Sequence, residues 1–292
     1  MDDNRQPAAE THPVPQNWRL TLAYDGTGFK GWQVQPGELT IQGELQSALH
    51  RVIGESPLPQ GSGRTDAGVH ALGQVASFTL HADIPAENLQ RALNRTLSSS
   101  IRVLEARTVR STFHARHSAI AKTYEYRVFQ DTICPPFLAR YVHACPWPMD
   151  LEALQAAAAT FLGEHDFLSF AATDPDLTER SALRPVTENP HPHAPATKQG
   201  ALRTIYSSAW ERVSTDGGAQ LVYRIRGNGF LHHMVRNLVG TMLDAGRGRT
   251  PVAAIPAMLA ARSRAAAGPT APAQGLFLHS VEYEADSDGE DL

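Results

Sequence analysis

The chain is poor in several things that would point to other classes of protein. It has only two cysteines, Cys134 and Cys145. That is too few for a disulfide framework in 292 residues, and both read as reduced thiols of a cytoplasmic protein. No apolar run approaches the ~20 residues that a bilayer-spanning helix needs. The opening MDDNRQPAAETHPVPQ is acidic and Pro-rich and lacks the apolar stretch of a secretion signal. A 42% hydrophobic and 19% charged composition excludes a disordered polyelectrolyte. It fits a globular chain with material for one large domain or two modest ones.

Positive charge is also short overall, at a net −4, which suits a polyanion binder badly. Its distribution along the chain says otherwise. Residues 1–16 carry −2 and residues 284–292 carry −5, so residues 17–283 carry +3 and hold 25 of the 26 basic residues. Arginine dominates there, and arginine reads phosphate and stacks on bases better than lysine does. GC-rich coding produces the same bias. Charge therefore permits a nucleic-acid partner without requiring one.

Hydrophobic periodicity predicts a strand at Trp18–Tyr24, a turn at Asp25-Gly26-Thr27-Gly28 and a helix over Ile41–Ile53 capped by Gly54. A Gly/Ser-rich loop, Gln60–Gly68, leads to a strand at Gly73–Leu80, a helix at Ala86–Leu97 and a strand at Ile101–Val109. KTYEYRVF, Lys122–Phe129, alternates as a strand, and an Ala-rich helix follows at Leu151–Leu162, ending at Gly163. Strands Arg203–Val213 and Gln220–Gly227 flank a Thr215–Gly218 turn, with helices expected over Leu231–Ala245 and residues 252–264. Leu45, Gln46, Ala48, Gly54 and Glu55 recur as Leu154, Gln155, Ala157, Gly163 and Glu164. This faint repeat suggests two related α+β lobes around a cleft. The expected division is a disordered tail at 1–16, an N-terminal lobe at 17–110 and a C-terminal lobe at 111–283. The second lobe carries a mobile Pro/His-rich insertion at 174–200, and an acidic disordered tail follows at 284–292.

The segment with most chemistry is Gly61-Ser62-Gly63-Arg64-Thr65-Asp66-Ala67-Gly68-Val69-His70-Ala71. Glycines at 61, 63 and 68 open backbone conformations closed to other residues and permit close approach. Arg64 and Asp66, two apart, point the same way in an extended stretch. A carboxylate beside a guanidinium stays ionised and oriented, as a carboxylate nucleophile must. On spacing alone, a Gly-rich turn with a surface ion pair accounts for the segment more simply.

GRTDAGVHA, Gly63–Ala71, resembles the signature of the tRNA pseudouridine synthase A family. The resemblance runs from Leu20 to about Tyr283. It takes in AYDGTGFKGWQ (Ala23–Gln33), FHAR (Phe113–Arg116), KTYEYRV (Lys122–Val128), GEHDF (Gly163–Phe167), GNGFLHHMVRN (Gly227–Asn237) and GLFL (Gly275–Leu278). It implies an α+β pseudouridine synthase fold, with two similar lobes of mostly antiparallel sheet and flanking helices around a basic cleft. It also implies an isomerase that converts uridine to pseudouridine at positions 38, 39 and 40 of the tRNA anticodon stem-loop. By the same match Asp66 is the nucleophile, acting at C6 of the base or C1′ of the ribose, and Arg64 helps hold the flipped nucleotide. Tyr124 stacks on the target base and its hydroxyl assists proton transfer at C5; Arg236 pairs with Asp66; Leu276 lines the uracil pocket. The family implies a homodimer, with tRNA as partner and no cofactor. Tyr126 shares Tyr124's strand face, so alternation alone does not separate the two.

Metal is not expected. Adjacent helical residues diverge by ~100°, so His232 and His233 on a helix would not chelate one ion. His114 and His117 lack a completing carboxylate, and His165, His191 and His193 fall in or near a Pro-interleaved loop. Ser62 lacks the G-x-S-x-G elbow of a serine hydrolase. Two other classes stay open at this level: a non-catalytic RNA-binding module and a metal-dependent hydrolase.

Overall fold

A computed structural model describes residues 14–172, 198–215 and 217–285. Most of both predicted tails and of the predicted mobile loop lie outside these residues. One large sheet organises the rest. Its strands are β1 Gln16–Tyr24, β2 Gln60–Gly61, β3 His70–Leu80, β4 Ile101–Val109, β5 Ala119–Phe129, β6 His143–Ala144, β7 Gly163–Asp166, β8 Leu202–Thr215, β9 Gly218–Gly227 and β10 Leu276–Tyr283. The helices are α1 Ile41–Ile53, α2 Ala86–Thr96, α3 Leu151–Ala159, α4 Met234–Gly246 and α5 Ile255–Ala260. The main path runs β4-β1-β3-β10-β5-β9-β8-β7 and is antiparallel except between β3 and β10.

Local chemistry sets most of these elements. Trp18, Leu20, Leu22 and Tyr24 alternate inward along β1 and are buried, the period-two pattern of a sheet covered on one face. In α1 the hydroxyl of Thr40 accepts the Gly43 N–H at 3.3 Å, while Gly54 takes the left-handed conformation that ends the helix. Ile41, Leu45, Ala48 and Leu49 form its buried face. The repeat residues Leu45 and Ala48 of α1, and Leu154 and Ala157 of α3, are all fully buried.

Three features depart from expectation. The helix expected over Leu231–Ala245 begins only at Met234, because His233 sits in the left-handed region (φ 58°). The helix expected over 252–264 shrinks to Ile255–Ala260 between two short 3-10 turns, and Arg262 is also left-handed (φ 50°). Finally, the GLFL motif, which carries no strand expectation, opens β10, the central strand. Leu276, Phe277 and Leu278 are buried in succession, so β10 begins without the alternation that marks a half-buried strand.

That central strand positions the site. It pairs with β3 in parallel at Phe277/His70 and Leu278/Ala71, and with β5 in antiparallel at Leu278/Tyr124. The loop entering β3 and the segment entering β10 therefore meet at one end of the seam, where Gly68 approaches Ala273.

Candidate active site

The loop before β3 is held from several sides. Trp32 N–H donates to Thr65 O (3.0 Å), and the Thr65 and Tyr24 hydroxyls hydrogen-bond at 2.8 Å. Gln74 Nε2 donates to Gly63 O (2.9 Å), while Ser62 Oγ donates to Gln74 Oε1 (2.7 Å). Gly61 is required by packing: a Cβ there would lie 2.6 Å from the Trp32 indole. The close approach expected at this glycine is thus made by the protein's own tryptophan. AYDGTGFKGWQ and GRTDAG, separate in sequence, form one braced unit.

Asp66 projects from this unit toward the start of α4. Its Oδ2 accepts a hydrogen bond from Arg236 Nη1 at 2.9 Å, across 170 residues. Arg236 is oriented by a second bond, from Nε to Ala271 O (2.8 Å). Both side chains are largely buried, at 19% and 15% exposure, and the flanking Met234, Val235, Leu238 and Val239 are core residues. Arg64 is exposed and lines the same cavity; the guanidinium on the carboxylate is that of Arg236. Pairing by i,i+2 spacing therefore gives way to pairing across the sheet.

His232 Nε2 lies 3.5 Å from Asp66 Oδ1, and His233 Nε2 lies 3.3 Å from Oδ2. The imidazoles face each other with centroids 4.0 Å apart. The expected divergence of the two rings requires a helix through both residues. The left-handed turn at His233 removes that premise and brings both rings onto Asp66. Burial pulls the His233 imidazolium below its ordinary pKa; Asp66 opposes this, while His232, Arg236 and Arg264 reinforce it. His232 Nδ1 is buried with no hydrogen-bond partner among the described residues.

Above these groups is a cavity of about 800 Å³. Tyr124 and Leu276 line it, whereas Tyr126 is core and donates its hydroxyl proton to Pro272 O (2.9 Å). Tyr124 packs edge-on against Phe230. Burial, then the neighbouring Tyr24 and Asp66, push its phenol upward, so it stays protonated. Lys30, Arg64, Arg116, Lys122 and Arg236 also line the cavity, against the acidic Asp66 and Glu38. The balance favours a polyanion.

Lys122 is a site residue that the sequence pattern does not single out, although it opens the KTYEY block. Its Nζ donates to Ser62 O at 2.5 Å, and burial, with Arg116 and Arg203 adding to it, pushes its pKa down to about 8. Strand alternation does place it on the face of Tyr124, which is the available signal.

The chain as a whole is similar to known proteins. A family profile described as tRNA pseudouridine synthase matches residues 21–118 and 157–284. A tRNA pseudouridine synthase A of Solibacter usitatus is 48% identical over 265 residues, covering 91% of this chain and 98% of the relative. Proteins of the same name from Moorella thermoacetica and Bacillus pumilus are 43% and 42% identical, each with 91% and 98% coverage.

Proposed function

The chain belongs to the tRNA pseudouridine synthase family, and from that premise we propose that it isomerises uridines 38, 39 and 40 of the tRNA anticodon stem-loop with Asp66 as nucleophile. The observation that carries this reading is the placement of Asp66. It stands on a braced loop with one guanidinium at 2.9 Å, facing a basic cavity lined by Tyr124.

A base inside a helix is inaccessible to a side chain, so the target nucleotide must leave the stack. The cavity offers a tyrosine ring for the flipped base, Leu276 for its apolar edge, and Arg64, Arg116 and Lys122 for phosphate. Arg236 neutralises and orients the carboxylate through a charge-assisted bond. Asp66 then attacks C6 of the base or C1′ of the ribose. The N1–C1′ bond breaks, the uracil turns and C5 bonds to C1′. The Asp66 oxygen leaves the carbon it attacked and takes its electron pair back, and C5 loses a proton while N1 gains one. Atoms and electrons balance within the nucleotide, so the cycle calls for no redox partner or hydrolytic water. Tyr124, protonated, serves as a stacking surface and hydrogen-bond donor rather than a ready base.

In this reading residues 17–110 and 111–283 form two lobes sharing one sheet. The enzyme works as a cytoplasmic homodimer, with one subunit gripping the tRNA whose anticodon arm enters the other's cavity. The test is to map pseudouridine in unmodified tRNA after incubation with the purified protein. Product confined to positions 38–40 supports the assignment. Absence of product, or product elsewhere, overturns it.

A further inference from the structure

We propose that Asp66, His232 and His233 form an inhibitory site for a borderline-soft divalent cation of the Zn²⁺ class, bound in competition with the target uridine. Among the described residues these three are the one group whose His, Cys and carboxylate ligand atoms could hold a metal, all within 4.8 Å of one another.

The distances carry the argument. Charge-assisted N–H···O bonds to a carboxylate run about 2.7–2.9 Å, as Arg236 demonstrates at 2.9 Å. The histidine contacts, at 3.5 and 3.3 Å, are too long for that. Each is close to the separation of two ligands on one tetrahedral ion, about 3.3 Å with bonds of about 2.0–2.1 Å; the two contacts reach different oxygens of the carboxylate, Oδ1 and Oδ2. Binding one ion draws the three ligand atoms, now within 4.8 Å of one another, together by a side-chain adjustment.

The donor set selects the ion. Two imidazoles and one carboxylate, with a fourth position open to the cavity, suit Zn²⁺ and its neighbours. Magnesium and calcium prefer oxygen throughout. The same surroundings make the ion exchangeable rather than structural. Arg236 already holds Oδ2, and its charge opposes a dication. Among the described residues His232 Nδ1 has no acceptor of the kind that normally braces a metal-bound histidine. An ion here would occupy the lone pairs that Asp66 needs for attack and exclude the target base.

Only the inhibition half of this proposal rests on Asp66 being catalytic; the binding half does not. The experiment uses the full chain and two readouts. Co²⁺, as a spectroscopic stand-in, is expected to give the visible absorption of a tetrahedral nitrogen–oxygen site at one ion per chain. That signal should weaken by more than about tenfold in affinity in His232→Gln, His233→Gln and Asp66→Asn, with thermal melts confirming that each variant folds. In the wild type, with prefolded tRNA and constant magnesium, Zn²⁺ is expected to raise KM for tRNA at unchanged kcat, and EDTA to reverse this fully. Unchanged Co²⁺ affinity in all three variants, or zinc inhibition that high tRNA does not relieve, overturns the proposal. Turnover by Asp66→Asn would instead defeat the catalytic assignment, whatever the Co²⁺ spectrum shows.

Discussion

Two carboxylates, Glu125 buried and Asp66 partly so, lie close to Tyr124 and are treated in opposite ways. Glu125 follows it on β5 and points to the other face of the sheet. At 5% exposure it accepts Arg127 Nε at 2.7 Å on one oxygen and Arg224 Nε at 2.8 Å on the other. Arg224 also binds Glu211. Burial pushes the Glu125 carboxyl up, but the two arginines outweigh it and hold it below the usual range. Among the described residues Asp66 has one side-chain hydrogen bond, from Arg236, with His232 and His233 farther off at 3.5 and 3.3 Å, and it opens on a cavity. A saturated carboxylate ties strands together. An under-coordinated one keeps lone pairs for chemistry, with the braced loop around it holding the geometry that its own contacts do not.

The comparison breaks first, and most visibly, at Asp66. Asp66→Asn should cut pseudouridine formation by more than about a thousandfold while tRNA affinity stays within a few-fold, because an amide keeps the shape without the nucleophile. Turnover by a preparation free of wild-type enzyme would dissolve the contrast. Arg236→Ala should come next, with a rate loss of about ten- to a hundredfold in single-turnover assays. It should also lose about 2 kcal/mol in denaturant melts, less than a fully buried pair would because both groups retain some solvent. Arg64→Ala should slow the reaction without that stability loss, and the reverse ranking would exchange the two roles.

Glu125→Gln sharpens the other side. It should leave the rate within about twofold and cost about 2 kcal/mol at neutral pH. A depressed carboxyl stabilises the fold above its unfolded pKa, and the contribution fades as pH falls through the folded value. The wild-type advantage should therefore begin to fade near pH 4.5 and be lost as pH falls through the lower folded value; an advantage that persisted in strong acid would mean packing, not charge, holds this junction.

The smallest effect is expected at Lys122. Its pKa of about 8, against 10.5 unfolded, means the folded chain binds fewer protons than the unfolded one between those values. Stability should rise across that window, and Lys122→Met should lack the rise. tRNA affinity should weaken a few-fold as pH climbs past about 8, with a shallower decline in the variant.

Much of this is legible in the residues. Alternation in Trp18–Tyr24 and the capped period of Ile41–Ile53 give elements whose bounds nearly match the structure, since such patterns are written within a few residues. The GRTDAG block points to Asp66, and the family resemblance to Tyr124, Arg236 and Leu276, all four of which line one cavity. Which residue touches which is decided elsewhere. Arg236 rather than Arg64 holds Asp66 because sheet order brings the start of α4 to the loop entering β3, and chain separation carries no trace of that order. Tyr124 lines the cavity while Tyr126, two residues on, is fully buried in the core, a distinction to which period-two alternation is blind. His232 and His233 converge on Asp66 where His233 adopts φ 58°, a conformation that side-chain chemistry does not specify. Local sequence determined the faces of the elements; their register across a central strand determined the site.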